Sequence, residues 1–136
     1  MTERRLFLTQ TLLLALVALV HVVALQLHLY WHFWWLDIFV HFGGGLWVAL
    51  AVSWLLLFAR REPRIIALIC TAIVIGILWE IFEVLIGMTF EDKYVFDTTI
   101  DLLMDTAGGI AGYFLTARLR ERDTIIPHED TQSNAS

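Results

Sequence analysis

Apolar residues fall into four runs of about twenty, at residues 6–29, 36–58, 65–88 and 97–117, with short polar stretches between them. An α-helix rises about 1.5 Å per residue, so a run of ~20 residues spans a hydrocarbon core about 30 Å thick. The pattern predicts an all-α protein: a four-transmembrane-helix bundle occupying residues 1–119, with short connections that make neighbouring helices antiparallel. Residues 120–136 are polar, contain Pro127 and end in Thr-Gln-Ser-Asn-Ala-Ser, and are expected to form a disordered cytoplasmic tail. The charged opening Met1-Thr-Glu-Arg-Arg has the look of a signal peptide, and Val22-Val23-Ala24 offers a small residue for cleavage. The apolar stretch that follows is longer than a signal core of ~7–15 residues, so an uncleaved first span is the reading adopted.

Composition sharpens this picture. Of 136 residues, 59% are hydrophobic and 17% charged, with mean hydropathy +0.72. A soluble domain of this length has no interior large enough for so much apolar surface. The net charge is −5 and no basic stripe is present, so nucleic acid is not an expected partner. Cys70 is the single cysteine, which excludes an intramolecular disulfide and a zinc–thiolate site.

The basic residues orient the bundle. Arg4 and Arg5 precede the first run, Arg60, Arg61 and Arg64 lie between the second and third, and Arg118, Arg120 and Arg122 follow the fourth. Lys93 is the single basic residue in the other two connections. The positive-inside rule places both termini and the middle connection in the cytoplasm. Tyr30, Trp31, Phe33, Trp34 and Trp35, with Tyr94 and Phe96, then form an aromatic belt at the outer interface, in contact with membrane lipids.

Seven ionisable residues break the apolar runs: Asp37, His41, Glu80, Glu83, Asp97, Asp101 and Asp105. With the orientation above, all fall in the outer half of the membrane at overlapping depths. Asp37 and His41 are spaced i,i+4 and share a helix face, as do Glu80 and Glu83 at i,i+3. Asp97, Asp101 and Asp105 form a column that drifts only about 40° per step. Intramembrane charges are costly and mark ion or substrate sites. Several carboxylates at close quarters need a cation between them or must take up protons. Oxygen-rich ligand sets select Mg²⁺, Mn²⁺ or Ca²⁺, and an added imidazole admits Zn²⁺ or Fe²⁺. The expected cofactor is therefore a divalent metal ion held by Glu80, Glu83, Asp97, Asp101, Asp105 and His41, with His41 and Asp37 as candidate catalytic acid/base groups. Asp37 and Asp97 also suit simple helix N-termini, whose dipole favours an acid. His21 is placed either against a neighbouring helix or in the cavity, and Trp79 is read as packing.

Small residues explain how the faces could meet. Gly43-Gly44-Gly45 follows His41, and Gly108-x-x-x-Gly112 lies on the fourth run. Such residues let membrane helices approach closely, here bringing Asp37 and His41 beside the aspartate column. The alternative use of that stripe is homo-oligomer formation.

The ordered segments Asp37-Ile-Phe-Val-His41-Phe-Gly-Gly, Glu80-Ile-Phe-Glu83 and Asp97-x-x-x-Asp101-Leu-Leu-Met-Asp105-Thr-Ala-Gly108-Gly109 resemble the VanZ-like and YjdF-like small bacterial membrane proteins. The resemblance covers roughly residues 36–113. Asp105 stands where the VanZ-like pattern usually carries Asn, which makes the site more acidic here. The resemblance implies a multi-pass protein of the bacterial inner membrane and points towards envelope lipids or cell-wall intermediates. The function expected is thus divalent-cation binding in the outer leaflet, acting on a lipid-linked or phosphate-bearing envelope substrate. An ion or proton transporter subunit and a non-enzymatic assembly protein are the alternatives. The polar residues of the inner halves (Thr9, Gln10, Thr11, Ser53, Thr71 and Thr116) make a thin path for transport.

Overall fold

Long apolar stretches without internal proline fold here into helices, and glycine or left-handed residues end them. The computed structural model describes residues 2–87 and 94–125. It contains α1 (Thr2–Gln26), a 3₁₀ turn (Leu29–Trp31), α2 (Trp35–Phe58), α3 (Ile65–Ile86) and α4 (Tyr94–Ile125). Gly87 closes α3 in the left-handed region, at φ 73°, where its N–H bonds the carbonyls of Glu83 and Val84. The connection at 88–93, with Lys93, and residues 126–136 lie outside the described residues.

The expected all-α architecture is present, with altered boundaries. The first helix stops at Gln26, before the expected residue 29, because His28 adopts φ 54° and turns the chain back into the 3₁₀ segment. The fourth continues to Ile125, so residues 120–125, assigned to a disordered tail, are helical. Arg118 to Arg122 alternate with helix-compatible side chains, and the Arg120 guanidinium grips both carboxylate oxygens of Glu62 in the α2–α3 connection.

Three helices, α1, α2 and α3, are long and apolar enough to cross a membrane. α1 shows why lipid must surround it: Leu12 is 71% exposed and Leu19 61%, while Leu6 and Ala24 are the buried residues of the helix. α4 carries Asp97, Asp101 and Asp105 and falls short of that apolar measure. Its place is the centre of the bundle, packed chiefly on α2.

α2 and α4 run parallel along a seam of small residues. A Cβ added at Gly45 would strike the Asp105 carbonyl oxygen, and one at Gly108 would strike that of Phe42. Further along, Gly112 meets Ala49. Only glycine permits backbones this close. α1 packs antiparallel on α2, through Val17 against Gly43 and the Trp47 indole N–H donating to Gln10 Oε1 at 3.0 Å. α3 packs antiparallel on α4, with Ala72 beneath Gly109. Among the described residues no Cα of α1 comes within 8 Å of one in α3, so these two flank the seam without closing over it.

Candidate metal centre

The Gly45–Gly108 crossing decides what sits above it. It lowers α4 onto α2 at the end of the bundle that carries the α1–α2 connection. There His41 on α2 meets Asp101 and Asp105 on α4, and Glu80 approaches from α3. All four are nearly or fully buried: His41 is 4% exposed, Glu80 5%, Asp101 3% and Asp105 5%. Gly76 on α3 leaves the space that the Asp105 carboxylate fills.

His41 has two distinct sides. Its Nδ1 lies 3.3 Å from Asp105 Oδ2, a contact that assigns the proton to Nδ1, since a carboxylate only accepts. Its Nε2 faces Asp37 Oδ1 at 3.8 Å and Glu80 Oε1 at 3.9 Å, beyond hydrogen-bond reach. Both Nε2 and Glu80 Oε1 are buried without a hydrogen-bond partner. A buried polar atom left unsatisfied costs about 1–3 kcal/mol. The two unsatisfied atoms face one another at 3.9 Å.

The surrounding donors fit a cation. Asp37, His41 and Asp101 each offer a ligand atom within 4.8 Å of the others, and so do His41, Glu80 and Glu83. Ligands of a common ion at about 2.1 Å stand ~3.0–3.4 Å apart along octahedral or tetrahedral edges, so side-chain movements of up to about 1–2 Å close either group. The Asp105–His41 pair reproduces the carboxylate–imidazole arrangement that orients a metal-binding histidine and raises its basicity. One imidazole has one nitrogen left to give, so His41 serves a single ion.

Neighbouring donors hold the carboxylates in place. The Thr98 hydroxyl donates to Glu80 Oε2 at 2.6 Å, leaving Oε1 as the free oxygen. The Trp79 indole N–H donates to Glu83 Oε1 at 2.9 Å. His21 joins from α1: its Nδ1 lies 2.7 Å from the Tyr30 hydroxyl, and its ring meets the Trp79 indole edge-on at 5.3 Å between centroids. Burial pushes the Tyr30 phenol above its ordinary range, and the charges of Asp37 and Glu83 add to this. The phenol keeps its proton, so its O–H is available to the His21 Nδ1 lone pair.

The residues singled out in the sequence therefore separate. Asp37, His41, Glu80, Glu83 and Asp101 converge as potential ligands. Asp105 faces the imidazole and orients it. Asp97 is exposed on the first turn of α4 and belongs to neither ligand group. Two steps of 40° carry it about 80° around the helix from Asp105. Thr98 had no signal in the sequence beyond lying next to Asp97. Trp79, read as packing, also donates a hydrogen bond to a candidate ligand.

A family model described as "Predicted membrane protein (DUF2238)" matches residues 2–122. That description names a membrane protein and no activity, and it does not carry the VanZ-like or YjdF-like name. No curated protein and no solved structure matches the chain.

Proposed function

The chain belongs to the DUF2238 family of predicted membrane proteins, and from that premise we propose that its buried His/carboxylate cluster binds one divalent metal ion. The observation that carries this reading is His41: Nδ1 is held by Asp105 while Nε2 is buried, unpartnered and turned towards carboxylates on three helices. An imidazole among carboxylates suits Zn²⁺, Fe²⁺ or Mn²⁺ better than Ca²⁺ or Mg²⁺. Asp37, Glu80, Glu83 and Asp101 are the oxygen ligands. Asp97 is a peripheral acid at the rim.

In the orientation that the arginines favour, both termini are cytoplasmic and α4 is the fourth span of an inner-membrane protein. The ion then lies in the outer half of the bilayer. A cation there polarises a phosphoryl or carbonyl oxygen and lowers the pKa of a bound water. The arginines of the described residues belong to the opposite end of the bundle, so the ion itself is the attractor for a negative headgroup. A lipid-linked or phosphate-bearing envelope substrate fits such a site, with the partly exposed Asp37 exchanging protons at its edge.

Elemental analysis of detergent-purified protein tests the assignment, comparing native chain with an Asp101→Asn/Glu80→Gln double variant. The expected result is one metal per chain in the native protein and none in a variant that still elutes as folded. No metal in either, after incubation with Zn²⁺, Mn²⁺, Fe²⁺, Mg²⁺ and Ca²⁺, contradicts it and leaves a protonated, hydrogen-bonded packing network.

A further inference from the structure

Below the cluster a cavity of about 260 Å³ runs between α1 and α3, with α2 as its floor. Leu14 and Ala18 form one wall and Ile75 the other, Val48 lies on the floor, and His41 and Asp105 stand at the polar end. Leu14 to Val22 mark its extent on α1, about 12 Å at 1.5 Å per residue. Since α1 and α3 make no backbone approach, the long side of this slot opens outward between two lipid-exposed helices. The His21–Trp79 ring contact bridges the two walls at the end nearest the cluster.

We propose that this slot holds one hydrocarbon chain of a membrane lipid, entering sideways from the bilayer, with the lipid's polar end at the His41–Asp105 end. The assignment deepens the metal-site reading and rests on it for the position of the headgroup. Three observations choose the occupant. The walls are apolar, so water gains no hydrogen bonds inside. The mouth opens where α1 and α3 present exposed leucine, isoleucine and valine, and the medium at that level is lipid acyl chain. The His21–Trp79 contact ties the two walls together at one end, so a rigid helix about 10 Å across from a second copy cannot lie along the slot without breaking it. A single flexible chain is the bilayer component slim enough to enter. Its direction follows from the polar groups: the headgroup meets the acidic end and the tail points to the bilayer centre.

The test uses full-length protein reconstituted in phosphatidylcholine nanodiscs with a trace of phosphatidylglycerol carrying a diazirine midway along one acyl chain. After irradiation, adducts are mapped by peptide mass spectrometry. Adducts should concentrate on Leu14 and Ile75 and saturate with unlabelled phosphatidylglycerol. Ala18→Trp, which fills the slot from an exposed position on α1, should reduce them at least fivefold and leave labelling of the outward-facing Leu12 and Leu78 unchanged. Ile75→Trp fills the slot from the opposite wall and should do the same at Leu14. Labelling that is equal on Leu12 and Leu14, that ignores both variants, or that gives way to protein–protein cross-links through the slot overturns the proposal. Metal content is measured on the same samples. A native protein without metal would sink the metal reading alone, because the adduct pattern reports the slot independently of the ion.

Discussion

The two halves of the α2–α4 seam use the same device, small residues that bring two helices together, and put it to opposite ends. Near the α1–α2 connection, Gly45 and Gly108 press backbone against backbone and leave three carboxylates buried around one imidazole. Further along, Gly112 against Ala49 leads to Ser53 and Thr116, both fully buried with hydroxyls that find no hydrogen-bond partner. In the first half the unsatisfied atoms converge on a common gap lined by carboxylates. In the second they are the hydroxyls of two small side chains. Close approach alone therefore does not make a site. What distinguishes the halves is charge gathered from three helices, and an Asp105 that fixes which face of His41 looks into the gap.

Substitutions at the crossing should have the largest effect on both halves. Gly45→Ala and Gly108→Ala each place a methyl against a carbonyl oxygen of the facing helix, and overpacking of this kind costs about 1–3 kcal/mol. Each variant should melt well below the native protein in detergent, as read by fluorescence-detected size exclusion on heating. Native-like melting of both would mean that the seam is looser than described.

Next come changes confined to the acidic half. His41→Ala removes the sole imidazole of the ligand groups and should abolish stoichiometric metal. Asp105→Asn keeps the shape and loses the carboxylate partner of Nδ1, which should weaken affinity about 10–100-fold in equilibrium dialysis. Asp97→Asn, at the exposed rim, should change affinity by less than about threefold. Equal losses at Asp97 and Asp101 would erase the distinction between rim and ligand.

Proton competition sharpens the contrast further. Carboxylate and imidazole ligands must be deprotonated to bind, so metal binding releases protons and acidification releases metal. Occupancy should be full near neutral pH and fall as the solution approaches pH ~4, the ordinary range of carboxylic acids. Occupancy that stays constant to that point contradicts a carboxylate site.

The smallest effects belong to the other half. Ser53→Ala and Thr116→Val remove hydroxyls that bond nothing, so they should be neutral or slightly stabilising and leave metal content unchanged. Arg120→Ala, which frees a largely exposed Glu62, should cost at most about 1 kcal/mol. A drop in metal content in any of the three would join the halves that the structure separates.

Much of this organisation is legible in the chain. Four apolar runs of helical length gave the element order, because hydrophobic length is a strong local signal. The i,i+3 and i,i+4 spacings put Asp37 with His41, and Glu80 with Glu83, on common faces. Gly43-Gly44-Gly45 and Gly108-x-x-x-Gly112 pointed to the close approach of the second and fourth helices that the structure shows. What the sequence could not reveal depends on tertiary geometry. The 80° drift that leaves Asp97 outside follows from where the α4 face settles against α2. Thr98 as partner of Glu80 depends on how two helices meet, which no spacing encodes, whereas Trp79 and Glu83 are spaced i,i+4 and share a face. The division of His41 into a held and a free nitrogen needs the pocket that Gly76 leaves for Asp105. The slot exists because α1 and α3 stay apart, and two apolar helices read alike in sequence whether they touch or not. The end of α4 is hidden for a local reason: its charged stretch resembles a solvated tail in the sequence, and the contact of Arg120 with Glu62 is formed only in the fold.

The central claim is that His41 Nε2 binds a metal ion while Asp105 holds Nδ1. Pulsed electron paramagnetic resonance on Mn²⁺-loaded protein, with histidine labelled with ¹⁵N, reads this directly. The account predicts a hyperfine coupling from one coordinated imidazole nitrogen, absent in His41→Gln and retained in Asp105→Asn with altered strength. Stoichiometric Mn²⁺ that shows no nitrogen coupling, or a coupling that survives in His41→Gln, would contradict it.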